Sequence, residues 1–190
     1  MSELLQRLQR ALPQIEQWID TLHARHLRES TRVCDAGFPR LAASFPMALL
    51  RATRVASVAT VPFPPVSGYG LPEFQAMADM AMAGITFRDM YFVHPSYSSE
   101  GVHFHEMIHV VQWKTLGVRP FLLTYGLGIL QHGYEHSPLE AIAYESQARF
   151  EQGIAMSSVT EHVGRHALQV SQDAAALFRA HGLEFERPAR

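Results

Sequence analysis

The sequence is short of several features that would assign a chain to a class at once. Cys34 is the only cysteine among 190 residues, which excludes a disulfide within the chain and a zinc site built from several thiolates. No apolar run reaches the length of a membrane span. The N-terminal stretch MSELLQRLQR is charged and amphipathic, unlike the apolar core of a secretory signal. We therefore expect a cytoplasmic protein with no membrane partner.

An excess of charge of one sign is absent as well. The chain has 16 Lys and Arg against 18 Asp and Glu, a net charge of −2 with neutral histidine. Without a basic surplus there is no electrostatic basis for holding a phosphate backbone, so we expect no nucleic-acid partner. The 47% hydrophobic and 18% charged fractions are typical of a globular protein. We predict that residues 1–190 form a single domain, of which residues 1–80 are a partly unassigned helical region.

Histidine, in contrast, is abundant, with 11 in the chain. The stretch HFHEMIHVVQW contains a match to H-E-x-x-H, in which His105 and His109 stand four residues apart and Glu106 follows the first. Residues four apart share one face of an α-helix, so both rings could bind one metal ion while Glu106 reaches a water on that metal. This pattern is typical of zinc hydrolases. The alternative is a buried structural pair of histidines beside a surface glutamate.

Apolar periodicity and turn signals predict a mainly helical α+β fold. Pro13 should kink the first helix or begin a second one, Pro46 should break the short helix of residues 41–50, and Ser96 or Ser98 should cap the helix that carries the histidines. The longer predicted helices span residues 3–28, 72–82, 99–116, 120–131, 137–153 and 158–180.

A small β-sheet is predicted beside the histidine helix. Residues 54–61 are rich in Val, Ala and Thr, and Arg88-Asp89 could form the turn of a hairpin between residues 85–87 and 90–93. In zinc hydrolases with this helix motif, the edge strand of such a sheet can hold an extended peptide by β-augmentation. The irregular stretch of residues 62–72 either lines an active site or is a plain surface connection.

A catalytic zinc site needs a third protein ligand. Thr115 stands six residues after His109, where one large class has a histidine, so the ligand must come from elsewhere. The helix that begins at Ser137 offers Glu140 and Glu145, which are five residues apart and could not readily both face the metal. Glu140 would also complete a capping box with Ser137, and that structural role remains open.

The stretch HEMIHVVQW followed by SPLEAIAYE resembles the gluzincin-type zinc metallopeptidases, in particular the minigluzincins and related uncharacterised bacterial families. The resemblance covers about residues 85–150 and implies a zincin-like domain with a small β-sheet beside the metal-binding helix. It also implies that Glu140 is the third zinc ligand. The positions that match the two family motifs are His105, Glu106, His109 and Gln112 in the first, and Pro138, Glu140 and Ala143 in the second.

Two positions depart from the family pattern. Ser137 replaces an asparagine, which is harmless because both residue types cap helices. Tyr144 stands where many relatives have an aspartate that orients a zinc-bound histidine. We expect Tyr144 or Glu145 to accept the ring N–H instead.

The predicted function is a zinc-dependent metallopeptidase that acts on a peptide or protein substrate. Zn²⁺ is expected on His105, His109 and Glu140, with Glu106 as the general base. A further donor must stabilise the developing oxyanion, and the candidates near the third ligand in sequence are His132, Tyr134 and His136.

Two other functions are compatible with the motif. A zinc-binding scaffold or interaction protein without turnover is the main alternative, and the departure at Tyr144 points towards it. A deformylase-like hydrolase would need a cysteine ligand, but Cys34 lies far from the histidine helix in sequence.

Overall fold

Helices dominate the computed structural model, which describes residues 1–154, 156 and 158–186. None of the helices among these residues is both long and apolar enough to cross a membrane. The α-helices of the described part are α1 (Ser2–His26), α2 (Pro39–Ser44), α3 (Met47–Ala52), α4 (Gln75–Ala78), α5 (Glu100–Leu116), α6 (Val118–His132), α7 (Pro138–Glu151) and α8 (Val159–Ala180).

One small mixed sheet accompanies the helices, so the fold is α+β. Its strands are β1 (Thr31–Arg32), β2 (Arg54–Ser57), β3 (Gly84–Phe87) and β4 (Met90–Val93). The order across the sheet is β1-β2-β4-β3, with β2 parallel to β4 and the other pairs antiparallel. The predicted hairpin is therefore confirmed, and β3 forms one edge of the sheet.

Helix α5 lies at the centre of the fold and has the predicted bounds. It packs against α7 and α8 on one side and against β3 and β4 on the other. Because it is apolar around most of its circumference, nearly all of its residues are buried. Two hydrophobic clusters meet along it. One contains Trp113 and Leu116 with α1 and α6, and the other contains Phe104 and Ile108 with α2, α3 and α7.

The residue that caps the start of α5 differs from the prediction. The N-cap is Ser99, whose hydroxyl accepts a hydrogen bond from the Val102 amide at 3.3 Å, and not Ser96 or Ser98. The Ser98 hydroxyl instead lies 2.8 Å from Nε2 of His103, a buried residue of α5. The end of α5 at Gly117, with φ of 79°, is as predicted.

Helix α1 continues through Pro13 and no second helix begins there, because its buried stripe packs on the core on both sides of the exposed proline. Two further predictions about local structure were wrong. Strand β2 ends at Ser57 and does not extend to residue 61. The helix predicted over residues 72–82 is only a 3₁₀ turn, Pro72–Phe74, followed by the short α4. The break at Pro46 between α2 and α3 is confirmed.

Candidate metal centre

His105, His109 and Glu140 form a buried group that could hold a metal ion. One donor atom from each residue lies within 4.8 Å of the other two. Nε2 of His105 is 3.0 Å from Nε2 of His109, and the Glu140 carboxylate oxygens lie 3.4 Å and 3.3 Å from these nitrogens respectively. Tetrahedral coordination with bonds of about 2.0–2.2 Å separates neighbouring donors by about 3.3–3.6 Å. The two histidine–carboxylate distances match this spacing and the distance between the two histidines is a few tenths of an ångström shorter, so the group could hold a small divalent cation.

Helix geometry and a cross-link between helices position these donors. His105 and His109 lie one turn apart on the face of α5 that meets the first turn of α7, where Glu140 is 1% exposed. Oε1 of Gln112 accepts from Nδ1 of His109 at 2.8 Å, which leaves Nε2 of that ring directed at the site. The Gln112 amide also donates to the Leu139 carbonyl at 2.8 Å, and this bond ties α5 to α7 beside the third donor.

The capping-box role of Glu140 is not observed. Ser137 does precede the first residue of α7, but its side chain makes no capping hydrogen bond in the structure. Oε2 of Glu140 is buried and accepts no hydrogen bond from the described residues, and Nδ1 of His105 has no partner there either. A buried carboxylate oxygen without a donor is costly unless a cation stabilises it.

The three donors are strongly coupled electrostatically. Burial alone would raise the pKa of Glu140, but the His109 and His105 rings beside it hold that pKa well below the usual 4.5. Burial alone would lower the pKa of His109. The Glu140 carboxylate outweighs the effect of burial and raises the pKa of His109 to about 9. The carboxylate is therefore anionic at neutral pH, as a metal ligand must be.

Glu106 lies on the neighbouring face of α5, against β3. The Thr86 hydroxyl is 2.7 Å from Oε2 of Glu106, which orients the carboxylate. A Cβ built on Gly84 would lie 2.5 Å from Oε1 of Glu106, so only glycine at this position leaves room for the carboxylate. Burial raises the pKa of Glu106, and the two histidines and Thr86 counteract this only in part. The carboxylate is thus poised as a proton acceptor.

Tyr125 makes a contact with Glu140 that the sequence did not reveal. Its hydroxyl donates to Oε1 of Glu140 at 2.5 Å. Burial and the nearby carboxylate raise the pKa of Tyr125 well above 10, so the phenol stays a donor. The only signal was a tyrosine inside the apolar run of α6, since a buried phenol needs a hydrogen-bond partner.

The three candidate oxyanion donors differ in whether they line the cavity of the site. Tyr134 lines the cavity that contains the three metal-binding residues and Glu106. Burial keeps the pKa of Tyr134 far above 10, so its hydroxyl can donate a hydrogen bond. His132 and His136 are exposed and are not among the described residues that line this cavity.

The predicted partners of the histidine ring are not found. Tyr144 is 41% exposed and packs its ring against His105, with 4.7 Å between ring centroids, without accepting the ring N–H. Glu145 is exposed and is not part of the metal-binding group. Of the two glutamates that sequence left open, Glu140 alone faces the histidines, because α7 turns Glu145 to the opposite side.

A single cavity joins the metal-binding group to the irregular stretch of residues 62–72. It has about 910 Å³ of space between protein atoms, part of it open to solvent. Phe63, Pro64, Val66 and Leu71 contribute to its wall, so this stretch lines the site and is not a plain surface connection.

Comparison with known proteins adds no assignment to this geometry, since no family model, curated protein or solved structure matches the chain.

Proposed function

We propose that this chain is a zinc-dependent metallopeptidase of the gluzincin type, in which Glu106 acts as the general base. The observation that carries the proposal is that His105, His109 and Glu140 line one cavity together with the buried Glu106. Two imidazoles and one carboxylate are the donor set of one class of catalytic zinc sites, in which a fourth position stays open.

The proposed mechanism divides the work between the ion and the protein. Bound zinc would supply a Lewis acid that lowers the pKa of a water towards neutrality. Glu106, held by Thr86, takes a proton from the attacking water and passes it to the leaving amine. Tyr125 holds the Glu140 carboxylate in place by its short hydrogen bond.

Tyr134 is the best-supported donor to the oxyanion that develops on the substrate carbonyl. Tyr134 belongs to the wall of the cavity, and its hydroxyl remains protonated at neutral pH because burial raises its pKa. A preorganised donor of this kind stabilises the transition state more than the ground state.

The test is elemental analysis of the purified protein together with cleavage of a mixed peptide library. The wild type should bind one zinc ion per chain and cleave peptides. The Glu106→Gln variant should keep its zinc and lose about 10²–10⁴-fold in rate, the usual contribution of a general base. Glu145→Gln is the matched control, because it removes an exposed carboxylate from α7 and should change neither property. Undiminished cleavage by Glu106→Gln would refute the mechanism.

A zinc-binding scaffold without turnover is the second candidate, and one observation favours it. Nδ1 of His105 has no hydrogen-bond partner among the described residues, whereas catalytic zinc histidines are usually oriented through this nitrogen. Stoichiometric zinc with no cleavage of any peptide or amide would support this candidate over the peptidase.

A further inference from the structure

The cavity beside the metal centre is walled mostly by apolar side chains. Helix α1 contributes one wall, and the opposite walls come from β3, α6 and the stretch of residues 62–72. The space open to the centre of a water-sized sphere is about 100 Å³, of the same order as the engineered apolar cavity of about 150 Å³ that binds benzene. Representative lining residues from these elements are Leu8, Leu12, Ile15, Phe63, Ile85 and Phe121.

Charge is confined to the metal centre itself. Among the described residues that line the cavity, the carboxylates and imidazoles are those of His105, Glu106, His109 and Glu140, and there is no Lys, Arg or Asp. A free amino or carboxyl terminus of a substrate would therefore have no partner in the apolar part. Because burial of an unpaired charge is costly, the group held there must be uncharged.

The edge of β3 is poorly suited to pair with an added peptide strand. Phe87 and Met90 flank a two-residue turn as a hydrogen-bonded pair, so Thr86 turns its N–H and C=O away from β4. The Trp113 indole already donates to that outward carbonyl at 3.1 Å. Within β3, Gly84 is the other residue that points its backbone groups outwards, so it is the one place where an added strand could form both hydrogen bonds.

Helix α1 also covers the far end of β3. Nε2 of His23 lies 2.8 Å from the Phe87 carbonyl oxygen, and the Trp18 ring packs on the Phe87 ring with 5.1 Å between centroids. An extended chain along this edge would meet α1 after a short distance. The space available to a substrate is therefore the apolar cavity and not a groove along the strand.

From these contacts we infer the substrate class of the proposed enzyme, and the inference rests on the function proposed above. The cavity binds an uncharged hydrocarbon group of a compact amide, placed next to the bond that is cleaved. This group is an aliphatic acyl chain or a bulky apolar side chain. The substrate does not lie as an extended strand along β3.

Two substrate series test the inference on the zinc-loaded protein. The first consists of fluorogenic N-acyl amides of one aminocoumarin, from acetyl to dodecanoyl. The second consists of peptides with one common cleavage site, in which the residue beside it is varied from alanine to a bulky apolar residue and the length on either side is increased. In the acyl series kcat/KM should rise about fourfold per added methylene until the cavity is filled. A rise confined to the bulky residue of the peptides would identify a side chain as the occupant. Added peptide length should have little effect.

A variant in the wall locates the effect. A Cβ on Gly126 would lie 3.2 Å from Leu8 Cδ2 and 3.6 Å from Phe74 Cζ, two side chains that line the cavity. Gly126→Ala should therefore shorten the optimal acyl chain. Gly68→Ala is the control, because a Cβ there would have no neighbour within 4 Å.

A binding measurement separates this inference from the proposed function. Calorimetry should show that dodecanamide binds the Glu106→Gln protein far more tightly than acetamide does, whether or not the wild type cleaves amides. Equal affinities would overturn the inference and leave the zinc chemistry standing. A kcat/KM that ignores acyl length but rises with peptide length would also overturn it, in favour of a strand on β3. Tight dodecanamide binding without hydrolysis of any substrate would contradict only the proposed enzyme.

Discussion

Replacing Tyr125 by phenylalanine tests whether a side chain that does not itself bind the metal sets the geometry of the candidate metal site. The Tyr125 hydroxyl donates to Oε1 of Glu140 at 2.5 Å, and the same oxygen lies 3.3 Å from Nε2 of His109. The substitution removes only this hydroxyl, since the ring stacks on Phe121 with 5.4 Å between centroids and phenylalanine retains that packing. The carboxylate would then be free to rotate away from the histidines.

The expected magnitude follows from the burial of the carboxylate. Loss of an outer partner of a metal ligand typically weakens metal binding by about 10–100-fold, or about 1.4–2.8 kcal/mol. Glu140 is only 1% exposed, so solvent has little access to replace the lost donor. We therefore expect zinc binding by Tyr125→Phe to weaken towards the upper end of this range, by roughly 30–100-fold.

The assay is a zinc titration in competition with a chromogenic chelator at constant pH, with circular dichroism to monitor the fold. Tyr97→Phe is the matched control, because Tyr97 is 56% exposed and lies outside the described cavity wall. A folded Tyr125→Phe protein with the zinc affinity of the wild type would refute the idea that this hydroxyl orients Glu140.

Three further substitutions probe the surroundings of the base and the packing of α1. Gly84→Ala places a Cβ within 2.5 Å of Glu106 Oε1, so hydrolysis should fall by about 10²-fold while zinc content, measured by elemental analysis, is unchanged. Thr86→Val removes the hydroxyl bonded to Glu106 Oε2 and should lower kcat at least about tenfold with little change in KM; unaltered steady-state kinetics would contradict this. Burial lowers the pKa of His23 below 6.5, so the unfolded chain takes up a proton first and stability should fall as pH drops below about 6.5. Thermal melts of His23→Gln, which can still donate to the Phe87 carbonyl, should show a weaker dependence on pH over this range.

Features that depend on neighbours within one helical turn or one tight turn were predictable from the sequence. His105 and His109 share a face because any α-helix places residues four apart in this way. The hairpin around Arg88-Asp89 formed where expected, and Arg88 adopts a positive φ of 58° there. These outcomes depend on local backbone geometry, which the order of residues encodes directly.

Local signals failed where tertiary packing competed with them. Pro13 is a strong helix breaker by itself, yet α1 continues because buried residues on both sides, such as Leu12 and Ile15, anchor it to the core. The capping box of Ser137 and Glu140 was plausible locally, but the glutamate turns to the buried histidines of α5. Contacts with distant elements outweigh a cost of about 3 kcal/mol at Pro13 and a contribution of about 1 kcal/mol from the capping motif.

The sequence by itself determined the half of the site on α5, with two imidazoles and a carboxylate at helical spacing, and it narrowed the third donor to two glutamates. The tertiary structure brought Glu140, the ligand that the family resemblance implied, to the histidines, and it alone added Tyr125 and Thr86 and placed the apolar wall of α1 over the cavity. These residues meet across long stretches of chain, and their approach depends on how α1, β3, α6 and α7 pack around α5. That packing is a property of the whole core, whereas the histidine spacing is a property of one helix.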